Sequence, residues 1–223
     1  MAAMRTHTDL REAVDHLPEG AALVMQDVPW EDYEQLLDQL VNRPGLRVVY
    51  DQGRLEVMSP LPEHEEYKCF IERVIIALAG ELDVNVEPRG SATWKRKRDA
   101  KGAEPDTCYY VANSDRIIGK RNIDLGIDPP PDLVVEIDST NESAGKFPIY
   151  ATFGVPEIWR YDVKHNRVYM YELRENTYAE IPSSRSFPIL TADTLANLID
   201  QTKTQGQKAP LAAFIRVIRE NPR

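Results

Sequence analysis

Glu104-Pro105-Asp106, then Pro131-Asp132-Leu133-Val134-Val135-Glu136-Ile137, then Lys146 are the residues on which both fold and chemistry turn. Asp106 opens the β-rich run DTCYYV, and Pro105 before it has no N–H for a ladder, as at a strand start. Leu133 to Ile137 is a short, nearly continuous apolar run, the pattern of a central strand covered on both faces. Glu136 is one charge among those apolar neighbours, and a carboxylate in such a place has to be paired, protonated or bound to a cation. Two carboxylates at neighbouring strand ends repel each other, a magnesium ion resolves the repulsion, and the Ile137 carbonyl offers a third oxygen. Lys146 follows early in a predicted helix over Ser143–Phe153, whose first turns can swing back over the strand end. From there its ammonium can hold an attacking water and offset charge developing on a phosphate. A plainer reading stands beside this one, in which the acids are surface charges and the lysine faces solvent.

Working outward, the pattern is helix, hairpin, helix, strands, helix, strands. WEDYEQLLDQLV (30–41) has apolar residues at helical spacing, with Asp27 as a nearby N-cap candidate. LRVVY (46–50) and RLEVM (54–58) flank Asp51-Gln52-Gly53 and read as a hairpin closed by Met58-Ser59-Pro60. Glu63 to Leu82 gives a long amphipathic helix with Phe70, Val74, Leu78 and Leu82 in one stripe. Strands are expected over 84–87, 91–97, 106–111, 133–137, 157–162 and 167–172, with a short one near Phe187–Leu190 and one or two helices at the end. Asn113 to Leu125 is polar and takes no assignment. Pro148 is tolerable in its helix only within the first turn, and Gly154 is the stop. The expectation is an α/β (α+β) domain with one mixed central β-sheet flanked by helices. It spans 1–223 as a single domain, with an N-terminal helix and hairpin over about 1–60 and a helical extension over about 190–223.

The 223 residues are 42% hydrophobic and 28% charged, an ordinary globular composition. No apolar run reaches the length needed to span a bilayer, and the opening MAAMRTHTDLREAVDHL lacks an apolar signal core, so a cytoplasmic protein with no membrane partner is expected. Cys69 and Cys108 lack metal-ligand spacing and are expected as buried free thiols. A net charge of -9 runs mildly against a nucleic-acid binder, yet Lys95, Arg96, Lys97 and Arg98 form a dense basic cluster beside Trp94, with Lys101 close by. That cluster reads either as a lysine-guarded strand edge or as a phosphate-contacting surface. Asp132 at a strand start, and Trp159 and Tyr161 in a strand, read as structural.

The runs KGAEPDTCYYV, DPPPDLVVEIDST and KFPIYATFGVPEIWRYD, with DQGRLEVMSPLPEHEEY upstream, resemble the Uma-type restriction endonucleases, closest to the subset abundant in cyanobacteria. That family belongs to the PD-(D/E)XK nuclease superfamily. The resemblance covers roughly Trp30 to Met170 and implies a restriction-endonuclease-like core, Mg2+ (or Mn2+) as cofactor and DNA as substrate. Asp106 matches the acid of the PD element and Glu136 the acid of the second half-motif. The lysine expected two residues later is replaced by Asp138, and Lys146 matches a lysine on the next helix that serves in its place. Glu56 and His64 match family positions before and at the start of the long helix, where they would approach the metal or the scissile phosphate; an exposed hairpin acid and a helix-start histidine are the plainer readings. Asp138 is either an extra ligand or a helix cap.

Two functions follow as expectations. The first is a Mg-dependent DNA endonuclease that hydrolyses phosphodiester bonds, with Asp106 and Glu136 binding the metal and Lys146 positioning the attacking water. It would act as a homodimer, since paired sites suit two-strand cleavage. The alternative is a non-catalytic nucleic-acid-binding or assembly module on the same fold.

Overall fold

The computed structural model describes residues 13–14, 16–40, 45–59, 61–139 and 142–220. Of the stretches read from the sequence, residues 1–12, Asp15, Val41, Pro60, Thr140 and residues 221–223 lie outside them. The chain divides into two compact units, Met1–Pro62 with Thr93–Glu104, and Glu63–Ala92 with Pro105–Arg223. The first therefore takes back a second, separate piece of chain after Ala92.

In chain order the first stretch holds β1 (Ala22–Met25), α1 (Trp30–Leu40), β2 (Arg47–Asp51) and β3 (Arg54–Met58). Next come α2 (Pro62–Leu82), β4 (Glu87–Pro88), β5 (Trp94–Arg96), β6 (Lys101–Ala103), β7 (Thr107–Tyr110) and a single turn α3 (Ser114–Ile117). The remainder is β8 (Leu133–Asp138), α4 (Phe147–Phe153), β9 (Glu157–Asp162), β10 (Arg167–Arg174), β11 (Thr177–Ile181), α5 (Ala192–Gln205) and α6 (Lys208–Glu220).

The first unit is an antiparallel five-stranded sheet in the order β1-β3-β2-β6-β5. Its hairpin turns on Gln52 and Gly53, both at positive φ (49° and 94°), the combination that matches the twist of paired strands in a two-residue loop. Trp30 and Tyr33 of α1 pack with Tyr50 of β2, with ring centroids 4.7–5.4 Å apart. Gly102 of β6 makes room for this cluster: a Cβ there would lie 2.1 Å from the Tyr33 hydroxyl. Asp27 itself adopts a left-handed conformation (φ 57°).

The second unit is a six-stranded mixed sheet, β11-β10-β9-β8-β7-β4. All its pairs are antiparallel except β8 with β9, and that parallel pair is joined through α4. Side chains alternate along β8. Leu133, Val135 and Ile137 enter a core with Phe70, Val74 and Leu78 of α2, Leu195 and Ile199 of α5 and Phe214 of α6. Val134, Glu136 and Asp138 therefore project from the opposite face.

The mixed sheet flanked by helices is the architecture the sequence implies, but there are two sheets rather than one. β5 and β6 join the first sheet, whereas β4 joins the second, so the two strands expected around Pro88-Arg89-Gly90 part company. Phe187–Leu190 is a turn, not a strand; its buried ends Phe187 and Leu190 fill the core through loop geometry, and the edge strand is β11 instead. Leu82, at the end of α2, is 37% exposed and does not join the buried stripe of Phe70, Val74 and Leu78. Cys108 is buried as expected, while Cys69 is exposed, lying on α2 directly before buried Phe70.

Candidate active site

The β7–β8 ladder stops at Thr107 opposite Val135. One more residue of the same register sets Asp106 across from Glu136, on the face away from the helical core. Pro105 has no N–H with which to continue the ladder. The donor left over on β8, Ile137 N–H, is taken by Asp106 Oδ2 at 2.7 Å. The N–H and C=O of one strand residue point to the same neighbour. The Ile137 carbonyl thus faces the Asp106 side, while the Asp138 carbonyl faces β9 and accepts from Val163 N–H at 2.9 Å.

Asp106 and Glu136 are 6% and 1% exposed. Burial pushes the Glu136 carboxyl up to about 7; Lys146 draws it back and Asp106 adds to the rise. Lys146 Nζ donates to Glu136 Oε2 at 2.8 Å, and the Tyr150 hydroxyl donates to Glu136 Oε1. Lys146 is itself only 4% exposed, so the ammonium and the carboxylate are a buried, hydrogen-bonded pair.

Local sequence explains how Lys146 arrives there. Asp138 accepts from Ser143 N–H at 3.0 Å and from the Ser143 hydroxyl at 2.8 Å. This fastens a 3-10 turn over Glu142–Lys146 that runs straight into α4. Pro148 sits in the first turn of α4, where no intrahelical donor is lost, and Gly154 at φ 82° ends the helix. The predicted helix is thus a 3-10 turn followed by an α-helix. Lys146 and Tyr150, four residues apart, share one face and both reach Glu136.

The remaining residues singled out in the sequence fall as follows. Asp138 takes the capping arrangement, with Arg160 Nη1 3.9 Å from its Oδ2; burial raises its carboxyl, and the Ser143 bonds, Arg160 and Lys146 work against the rise. His64, on the first turn of α2, is buried, with Nε2 2.6 Å from the hydroxyl of Ser139 just past the end of β8. Glu56 lies on β3 in the first unit, with Arg54 at 2.6 Å. Lys95, Arg96, Lys97 and Arg98 also belong to the first unit, and each has an acidic partner there. Lys95 meets Glu34 at 2.9 Å, Lys97 meets Glu31 at 3.1 Å, and Arg96 and Arg98 both address Asp99, the latter at 3.9 Å. Asp132 accepts from Val111 N–H, Asn113 N–H and the Asn113 amide at 2.7–2.8 Å and has a structural role. Trp159 and Tyr161 are core residues, each 1% exposed.

Two residues escaped the sequence reading. Tyr150 was legible only through its i+4 relation to Lys146. Glu157 is fully buried, but its carboxylate accepts from Trp159 Nε1, Arg185 N–H, Ser186 N–H and the Ser186 hydroxyl at 2.7–2.9 Å, which makes it an anchor for the loop before α5. The two buried glutamates differ in their donors. Glu157 is held by neutral groups; Glu136 is held by an ammonium and a phenol and lies across from another carboxylate.

Among the described residues, no group of three or more His, Cys, Asp and Glu side chains could by itself hold a metal ion. Asp106, Glu136 and the Ile137 carbonyl could offer a cation two carboxylates and one main-chain oxygen. Such a set suits a hard divalent cation that keeps part of its water shell. No described helix is long and apolar enough to cross a membrane.

Comparison with known proteins adds a family. The model of Uma2, described as "Putative restriction endonuclease", matches residues 30–202. Among solved structures, a putative nuclease from Anabaena variabilis ATCC 29413 aligns over 72% of this chain and 97% of its own, at 17% identity and a TM-score of 0.48. A search of curated proteins finds no match.

Proposed function

Because the chain belongs to the Uma2 family, we propose that it is a divalent-metal-dependent nuclease that hydrolyses phosphodiester bonds of DNA. Asp106, Glu136 and the Ile137 carbonyl would hold Mg2+ (or Mn2+), and Lys146 would position the attacking water. The observation that carries this reading is Lys146 Nζ at 2.8 Å from Glu136 Oε2, an ammonium reaching back over the strand end to the carboxylate it has to serve.

Each group has work that follows from its surroundings. Asp106 is oriented by the Ile137 N–H, so its carboxylate is fixed before substrate arrives. Glu136, with its carboxyl raised to about 7, is a carboxylate short of positive charge, the condition a bound cation relieves. When bound, Mg2+ supplies Lewis-acid stabilisation of the phosphate and a nucleophile at neutral pH. Lys146 holds the water in line and meets the negative charge that grows on the phosphoryl oxygens, in a site dry enough for that charge to count. Tyr150 keeps the Glu136 carboxylate turned toward Lys146. A symmetric pair of chains would serve the two strands of a duplex, and two free thiols suit the reducing cytoplasm.

The test is nicking of supercoiled plasmid with Mg2+ or Mn2+, alongside calorimetric titration of the metal. Wild-type protein should nick and bind metal, and Glu136→Ala and Asp106→Asn should lose both while remaining folded. The alternative, a non-catalytic nucleic-acid-binding or assembly module, draws on the acid-partnered basic cluster of the first unit. It requires that neither carboxylate affect metal binding and that no divalent ion support cleavage.

A further inference from the structure

The face of the second sheet that carries Glu136 continues beyond the carboxylates. In the parallel β8–β9 pair Glu136 is the register partner of Arg160, and in the β9–β10 pair Arg160 is the partner of Tyr169. Partners in register project from the same face. Glu136, Arg160 and Tyr169 therefore form a row across three strands that begins at the candidate centre. Arg167 lies two residues before Tyr169 on the same face of β10. The Arg160 guanidinium carbon is 4.6 Å from the Tyr169 ring centroid and the Arg167 guanidinium carbon 4.4 Å from it, so two cations gather on one ring. Tyr171 continues the row of rings, 6.3 Å from Tyr169 with planes 15° apart.

Acids face this group too. Asp138 lies 3.9 Å from Arg160, Glu180 lies 3.4 Å from Arg167, and Asp162, in register with Arg167, turns to His165 at 2.9 Å. Arg167 and Glu180 are 59% and 54% exposed, and such surface pairs hold only weakly against solvent. A phosphate can displace Glu180 from Arg167 and make a charge-assisted contact with a guanidinium whose direction the ring already sets. Two strand spacings, about 10 Å, separate Glu136 from Tyr169. A small phosphodiester held at Asp106 and Glu136 does not extend that far; a polynucleotide does.

We propose that Arg160 and Arg167, gathered on Tyr169, contact backbone phosphates of the DNA beyond the scissile one, a contact that a small phosphodiester cannot make. This rests on the phosphodiesterase reading above and deepens it.

The test measures binding and turnover separately. Fluorescence anisotropy follows a fluorescein-labelled DNA 20-mer, single-stranded and as a duplex, without divalent metal and across a salt series. Turnover is compared on the same DNA and on bis(4-nitrophenyl) phosphate. Arg167→Ala should weaken the tighter-bound DNA form roughly three- to tenfold and reduce the magnitude of the log–log salt slope by about 1. Arg167→Lys should restore the slope, because a charge is returned. Turnover of DNA should fall at least about threefold more than turnover of the small diester, as lost phosphate contacts require. Wild-type affinity and slope in Arg167→Ala, equal losses on both substrates, or no DNA binding by the wild type would overturn the proposal. If the protein hydrolyses neither substrate yet Arg167→Ala still weakens DNA binding, the phosphodiesterase reading fails and the phosphate contact stands. If Glu136→Ala abolishes hydrolysis while Arg167→Ala binds like wild type, the contact fails and the phosphodiesterase reading stands.

Discussion

At the scale of single residues, the centre is a proton-linked ion pair. The Glu136 carboxyl is raised from its ordinary 4.5 to about 7, with burial as the main cause. A carboxyl raised on folding favours the folded state fully below its unfolded value, and that stability is lost as pH rises from about 4.5 through about 7. Lys146 is what limits the loss. Lys146→Met leaves the carboxylate buried without its cation, which should cost about 3 kcal/mol above pH 8. The deficit should shrink as pH falls toward 5, because Glu136 then takes up a proton and no longer needs the ammonium. Urea unfolding at several pH values in metal-free buffer measures this; parallel pH profiles for mutant and wild type would show that the pair is not linked to folding. The pairing was only partly legible from sequence. An acid inside an apolar strand demands a partner, and Lys146 was in reach, but Tyr150 carries no signal apart from helical spacing, since a tyrosine in a helix ordinarily reads as core.

At the scale of elements, the segment between β8 and α4 decides whether the lysine is delivered. Asp138, at the position where the resemblance implies a lysine, fastens the turn that carries Lys146 toward Glu136. Asp138→Ala should lose about 1–2 kcal/mol, the usual worth of a capping side chain. It should also reduce DNA nicking more than that loss of stability explains, because Lys146 is no longer held over the carboxylates. Chemical denaturation and plasmid nicking of the same preparation check both halves, and full activity with lowered stability would confine Asp138 to a cap. Elements with strong local signals were read closely: the Gln52-Gly53 hairpin, the β8 run, and the Pro148 and Gly154 limits of α4. β4, β5 and β6 were harder to read. They are two or three residues long, so pairing partners rather than periodicity define them, and β4 and β6 find partners far off in sequence, in β7 and β2. The turn at Phe187–Leu190 misled because buried apolar residues look alike in a strand and in a packed loop.

At the scale of the whole molecule, metal and fold should be coupled. Binding to the folded state alone raises stability by mass action. Millimolar Mg2+ should therefore raise the melting temperature, and more at about pH 8 than at about pH 6, because a protonated Glu136 is no ligand. Asp106→Asn should abolish the shift. A pH-independent shift that survives in Asp106→Asn would place the metal elsewhere. The architecture of helices against a mixed sheet was legible because apolar spacing identifies elements and short β-runs limit their pairing. The division into two sheets was not legible, since no spacing rule says that residues 93–104 return to an earlier unit.

That return has a consequence for how the protein is made. The first unit is discontinuous: its central strand β2 pairs on one side with β3, its immediate hairpin partner, and on the other with β6, which lies some fifty residues downstream. A nascent chain that has released only its first sixty residues has the hairpin but not the strand that carries Gly102, the position that accommodates Tyr33. The whole of α2 must leave the ribosome before that sheet can be completed. Synthesis of the second unit therefore begins before the first is finished, and a fragment ending at Pro62 should not fold as a domain.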